Sequence, residues 1–269
     1  MNKRNLGMLL SSLGAVIGIF GTWVLFIIFY EPYQVALLAG SGCDAIIIGF
    51  FPIMADFGVI AGVLYLLSAI GFYSEKNWAF YLAAIANVLA LQGAFWAMIP
   101  AMSVGLPPSF ILVFLPNLII YFPLLVKVGE INWSRVILAL IAGMAFVMSF
   151  MNGIAGTNRI LGTISDPVRV ASGAPIYVVT QRMNWVASFG FGILTAGIIL
   201  HPKTTWLRFV GIAAALAALV AMPLAILNTM DKGSFSMFFS APLLSIPIFV
   251  VCLWTGLWER LVSSKPNQF

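Results

Sequence analysis

The sequence predicts an all-α polytopic membrane protein of about eight transmembrane helices, built as a tandem duplication of a four-helix unit. Three observations predict it. The 269-residue chain is 62% hydrophobic and 8% charged, whereas soluble domains carry about a quarter charged residues. Its apolar runs approach the roughly 20 residues that a helix rising 1.5 Å per residue needs to cross hydrocarbon. Landmarks also recur. The turn Ser74-Glu75-Lys76-Asn77-Trp78 and the later Gly105-Leu106-Pro107-Pro108 have counterparts in His201-Pro202-Lys203-Thr204-Thr205-Trp206 and Asp231-Lys232-Gly233-Ser234. Trp78 and Trp206 fall at the same point of each copy, as do Gly105 and Gly233.

The expected spans are about 7–29, 54–73, 79–99, 110–127, 135–155, 184–200, 206–228 and 236–258. The first follows Lys3 and Arg4 and resembles a signal peptide. Its apolar run, from about Leu6 to Tyr30, is too long for a signal core and lacks a small-x-small cleavage site, so it is expected to stay as a membrane helix. The intervals 30–53 and 156–183 are expected to be long outer loops. Ile46–Phe51 and Ile176–Val179 within them are too short to span the bilayer and read as interfacial or re-entrant segments. The first interval is acidic through Glu31 and Asp44, and the second basic through Arg159, Arg169 and Arg182 against Asp166.

The halves fall at about 1–130 and 131–269, and the last span of each carries two prolines, Pro116 with Pro123 and Pro242 with Pro247. An even number of spans per copy implies parallel repeats, related by a pseudo-two-fold axis along the membrane normal.

With the N-terminus inside, the inner segments hold Lys3, Arg4, Lys76, Lys127, Arg135, Lys203, Arg208, Arg260 and Lys265. The outer segments hold Arg159, Arg169, Arg182 and Lys232. Nine against four is a positive-inside bias, which puts both termini in the cytoplasm. Trp78, Trp133, Trp206 and Trp258 fall at the expected inner boundaries, where amphipathic rings prefer to sit. The net charge of +5 is then explained by orientation, with no nucleic-acid partner implied. The expected setting is the plasma (inner) membrane of a prokaryote.

The residue inventory argues against enzyme chemistry. A single histidine, His201, excludes bis-histidine haem ligation and histidine metal clusters. No Walker motif, H-E-x-x-H or G-x-S-x-G occurs. Cys43 and Cys252 are expected at different depths and form neither a bridge nor a redox motif. No cofactor, metal or catalytic residue is expected.

Ionisable residues near apolar spans are the default candidates for function. Asp56 lies about 26 Å, and Arg182 about 27 Å, from the inner ends of their helices, at near-equivalent outer positions of the two copies. They either line an outer cavity and bind a charged group, snorkel to water, or pair to clamp the halves. Polar side chains at depth are Asn87, Gln92 and Asn117. Asn117 follows Pro116, which frees the carbonyl of Leu112, and an amide beside such a carbonyl serves a ligand or acts as interhelical glue. Asn87 corresponds to Ala215 in the second copy, which would confine any polar site to the first half. The four-residue spacings Gly14/Gly18 and Gly58/Gly62 mark faces where helix backbones approach.

Two function classes follow. One is a non-enzymatic protein that binds or translocates a small, largely apolar molecule (a lipid, quinone or hydrophobic metabolite) in a cavity between the halves. The other is a non-catalytic membrane anchor or assembly subunit of a larger complex. The lipid bilayer is the partner common to both.

Overall fold

Hydrocarbon offers backbone N–H and C=O groups no partner, so a chain this apolar must satisfy them internally, and helices do so within one segment. Every regular element among the described residues is accordingly helical. The computed structural model describes residues 2–40, 45–103, 106–164, 167–200, 205–233 and 235–263. Cys43, Gly105 and His201 lie outside them.

Contacts divide the chain into two units, Met1–Ile131 and Asn132–Phe269. In the first, α1 (Lys3–Val16) runs through a π turn (Ile17–Gly21) into α2 (Thr22–Gly40). Then come α3 (Ala45–Tyr73), α4 (Ala79–Ser103) and α5 (Ile111–Pro123), which ends in a second π turn, Leu124–Val128. α1 packs on α3, α3 on α4, α4 on α5, and α5 with its π turn back on α1, closing a four-membered ring. The core holds small residues of α4 (Ala79, Ala83, Ala86, Ala90) against Leu10, Tyr65, Phe72 and Leu124.

The second unit comprises α6 (Trp133–Ile164), α7 (Pro167–Leu200), α8 (Trp206–Leu219), α9 (Met222–Lys232), α10 (Ser240–Leu253) and α11 (Thr255–Trp258). α6 packs on α7, α7 on α8, α8 on α10 and α10 on α6. Here too each helix meets the next and the last meets the first. Pro223, at the start of α9, lacks the N–H that would continue the α8 ladder, so the span breaks at Val220–Ala221. Gly233 ends α9 in the left-handed conformation (φ +63°), its N–H bonding the Thr229 carbonyl, a conformation that L side chains resist.

Seven helices are long and apolar enough to cross a membrane, and an eighth span follows if the pair Met237–Leu253 and Thr255–Val262, bent by 98°, is one. The two long outer loops expected from the sequence are helical where described. Ile46–Phe51 belongs to α3 and Ile176–Val179 to α7, so neither is a re-entrant segment. Hydropathy reports where a helix is apolar, not where it stops, and these helices continue past the apolar stretch with prolines Pro52 and Pro175 inside them.

Three arginines occupy positions that charge counting did not foresee. Each stands in the first turn of one helix and donates to the last carbonyls of an antiparallel neighbour. Arg4 bonds the Phe72 carbonyl at 3.0 Å and the Tyr73 carbonyl at 2.7 Å. Arg135 bonds the Ile198 carbonyl at 2.8 Å and that of Ile199 at 2.9 Å. Arg208 bonds the Cys252 carbonyl at 3.0 Å, that of Leu253 at 3.2 Å, and the Thr255 hydroxyl at 2.8 Å. A helix end leaves four carbonyls without intrahelical partners, and a cation there also meets the negative end of the dipole. At Trp254, where the backbone turns extended (φ −89°, ψ 104°), Arg208 supplies donors that the bend removes.

Gly18 meets both glycines of the second pair, whereas Gly14 packs on the Tyr65 ring. A Cβ at Gly18 would stand 2.7 Å from the Gly62 Cα and 2.8 Å from the Gly58 carbonyl oxygen, whereas one at Gly21 would meet nothing nearer than 3.6 Å. Gly18→Ala is therefore expected to destabilise by about 1–3 kcal/mol and Gly21→Ala by much less, measured as thermal midpoints in one detergent. Equal midpoints for the two variants would refute the close approach. Arg135→Met and Arg208→Met are each expected to cost about 1–3 kcal/mol, the range for hydrogen bonds to charged groups. Exposed Arg182 is the control: Arg182→Met should stay within about 0.5 kcal/mol, and a matching loss there would remove the capping role.

Candidate functional site

The candidate residues of the first unit fall into two environments. Asn87 on α4 and Asn117 on α5 are buried, at 1% and 0% exposure, and Tyr65 of α3 is buried between them at 0%. Asn87 stands eight residues into its helix, and Tyr65 eight residues before the end of its own, so both lie about 12 Å from the same end of the unit.

Their polar atoms form a chain of hydrogen bonds. The Asn87 Nδ2 donates to the Tyr65 hydroxyl at 2.6 Å and to the backbone carbonyl of Asn117 at 2.8 Å. The Tyr65 hydroxyl donates to the Asn117 Oδ1 at 3.4 Å. The Asn117 Nδ2 donates to the Val113 carbonyl one turn back, at 2.8 Å. Three helices are thereby tied at one depth. Nearby, the Ser68 hydroxyl donates to the Ala79 carbonyl at 2.7 Å and lies 3.3 Å from the Ser11 hydroxyl.

The Asn117 amide takes the Val113 carbonyl, four residues back, because a side-chain amide reaches its own helix most readily at i−4. The Asn87 Oδ1 is buried without a hydrogen-bond partner among the described residues, so a donor reaching this depth would find one acceptor. Gln92, further along α4, is half-buried and stands outside the chain of bonds. Tyr65, its central member, was missed by sequence reasoning because a tyrosine in an apolar run reads as core filler. Its position beside Asn117 becomes visible only once α3, α4 and α5 are adjacent.

Asp56 on α3 and Arg182 on α7 are both exposed, each within its own unit. No charged side chain is buried among the described residues, where the buried polar set is neutral throughout.

The second unit is not apolar at depth, contrary to the sequence expectation. Ser149 and Asn152 on α6 and Thr180, Asn184, Ser188 and Thr195 on α7 are buried. The Asn152 Nδ2 donates to the Phe238 carbonyl at 3.3 Å, and the Asn184 Nδ2 to the Thr180 carbonyl at 2.8 Å. Thr180, Asn184 and Ser188 recur every four residues and so share one face. That spacing was a readable signal: Asn184 and Ser188 lie inside the expected span 184–200, and only Thr180 falls before it, since α7 begins at Pro167. Asn184 lies about 24 Å from the end of α7 at Leu200 and Thr195 about 8 Å from it, so buried polar groups of this unit occur both far from its arginine caps and close to them. Ser149 Oγ, Thr180 Oγ1 and Asn184 Oδ1 have no hydrogen-bond partner among the described residues.

The chain matches no protein-family model, no curated protein and no solved structure.

The Asn87–Tyr65 bond has a direct test. A double-mutant cycle of Asn87→Leu and Tyr65→Phe is expected to show coupling of about 0.6–1.7 kcal/mol in detergent unfolding. Additive losses would mean that the two side chains do not act together.

Proposed function

We propose that the protein is a non-enzymatic integral membrane protein that binds or moves a small, largely apolar molecule such as a lipid, quinone or hydrophobic metabolite. One observation carries the reading: the buried polar side chains among the described residues are all neutral. Ion- and proton-coupled transporters place ionisable groups inside the membrane, and a charged substrate needs a counter-charge out of water. A neutral interior with an occasional free acceptor, such as the Asn87 Oδ1, suits an apolar molecule with at most one donor.

Four further elements belong to this proposal. The two units are copies of one four-helix ancestor, supported by Trp78 with Trp206 and by the same cyclic helix order in each unit. The prolines near the starts of α3 and α7 and the first-turn arginines Arg4 and Arg135, each on the ladder of the next long helix, add to it. Both termini are cytoplasmic, supported by the nine-to-four division of Lys and Arg under the positive-inside rule. The setting proposed is a prokaryotic inner membrane. Asp56 and Arg182, exposed in their own units, serve ligand entry at the outer boundary.

A second reading, the non-catalytic anchor or assembly subunit, is favoured by the hydrogen-bond chain of the first unit. There most polar atoms are engaged with protein, as in glue between helices.

Purification of the full chain from its native membrane in mild detergent separates the two. The expected result is a chain free of stoichiometric protein partners, whose organic extract holds an apolar molecule in roughly equimolar amount by mass spectrometry. A stoichiometric protein partner with no retained small molecule would replace this reading with the subunit one.

A further inference from the structure

At the end of the first unit that carries the N-terminus, a cavity of about 460 Å³ opens between the start of α1, the α3–α4 turn and the π turn after α5. Its mouth is charged, with Lys3, Arg4, Glu75 and Lys76 in the wall, while Phe72, Phe80 and Val128 line it with apolar surface. We propose that this cavity is a binding site for the phosphodiester headgroup of an anionic membrane lipid. This does not rest on the apolar-ligand reading above and holds equally for a membrane anchor.

The charges point to one anion. Lys3 pairs with Glu130 and Arg4 with Glu75. Three cations, counting Lys76, against those two carboxylates leave one positive charge. Arg4 is further committed to the Phe72 and Tyr73 carbonyls and acts as fixed wall. The groups left to meet a ligand are the ammonium of Lys76 and the side-chain amide of Asn77, both donors and both exposed in the wall. A phosphodiester carries a single negative charge and acceptor oxygens, which matches one free cation with an amide beside it.

The wall is held in place. Among the described residues, Glu75 and Glu130 are the non-glycine residues with positive φ, at 57° and 54°, each separated by one residue from a helix end, where glycine is usual. The Lys76 N–H bonds the Gly71 carbonyl at 2.8 Å and the Ile131 N–H that of Leu125 at 2.9 Å, closing both turns. Each strained glutamate holds one N-terminal cation. Such strain persists where surrounding structure over-determines it, and it concentrates at binding sites.

Depth selects a lipid over a dissolved anion. α1 starts, α3 ends, α4 starts and the π turn after α5 ends around this cavity. The exposed rings of Tyr73, Trp78 and Tyr81 stand at the same end, where amphipathic aromatics mark the boundary between water and hydrocarbon. The polar mouth therefore lies at headgroup level, with apolar surface to receive the glycerol and first acyl carbons. Basic recesses at this level select anionic lipids.

The test is native mass spectrometry of the full chain, delipidated in a neutral detergent and titrated with short-chain phosphatidylglycerol. One lipid is expected to bind, with affinity falling about fivefold in Lys76→Gln, the factor corresponding to one lysine contact of about 1 kcal/mol. Lys127→Gln is the control, since Lys127 is exposed on the neighbouring π turn and outside the cavity wall; less than a twofold change is expected there. Equal losses in the two variants would reduce the effect to general surface charge and overturn the site. Phosphatidylcholine binding as tightly would overturn the anionic selectivity. Competition by millimolar inorganic phosphate at parity would overturn the assignment to a lipid.

Discussion

In hydrocarbon, the energetic weak points of a helical protein are the helix ends, where four carbonyls or four N–H groups lose their intrahelical partners. The arrangement of this chain follows from how it meets that constraint. Arg4, Arg135 and Arg208 each leave the first turn of one helix and cover the last carbonyls of its neighbour. The guanidinium suits the task because its donors lie in one fixed plane and it keeps its charge beside the negative dipole end. An arginine at a helix start reaches a neighbour's C-terminus only if the two run antiparallel with their ends level. The caps therefore fix both direction and register of the helix pairs they join.

The same constraint explains which parts of the fold were legible. The approximate positions of the spans and the tight turns at Glu75 and Gly233 follow from apolar length and turn residues, and those are one-dimensional signals. What escaped were properties that depend on a neighbour. The long helices α2, α3, α6 and α7 continue beyond their apolar stretches, since a polar side chain ends a run of hydropathy without ending a helix. The 98° bend after α10 has no breaker residue at Trp254. It is stabilised from outside by Arg208, which sits 44 residues earlier in the chain than the Cys252 carbonyl that it bonds.

The candidate site divides along the same line. Asn87 and Asn117 were readable because an amide within an apolar run is rare and costly unless it is bonded. Tyr65 was not, because its hydroxyl matters only through the two asparagines that α4 and α5 bring to it. In the second unit the Thr180–Asn184–Ser188 face was present in the spacing, and only Thr180 was lost to a helix start placed at residue 184 rather than Pro167.

Taken together, the polar groups sort by depth and by charge. Among the described residues, formal charges stay at exposed or half-buried positions, where they cap helices, close turns and line the cavity at the N-terminal end of the first unit. Neutral amides and hydroxyls occupy the interior of both units. Desolvating an amide costs about 2–7 kcal/mol without a partner, and an ion far more, so a protein with no need to carry charge through the bilayer has every reason to keep the two populations apart. Had either unit served a charged solute, the separation would have to fail somewhere along its path. In the described part of both units it holds.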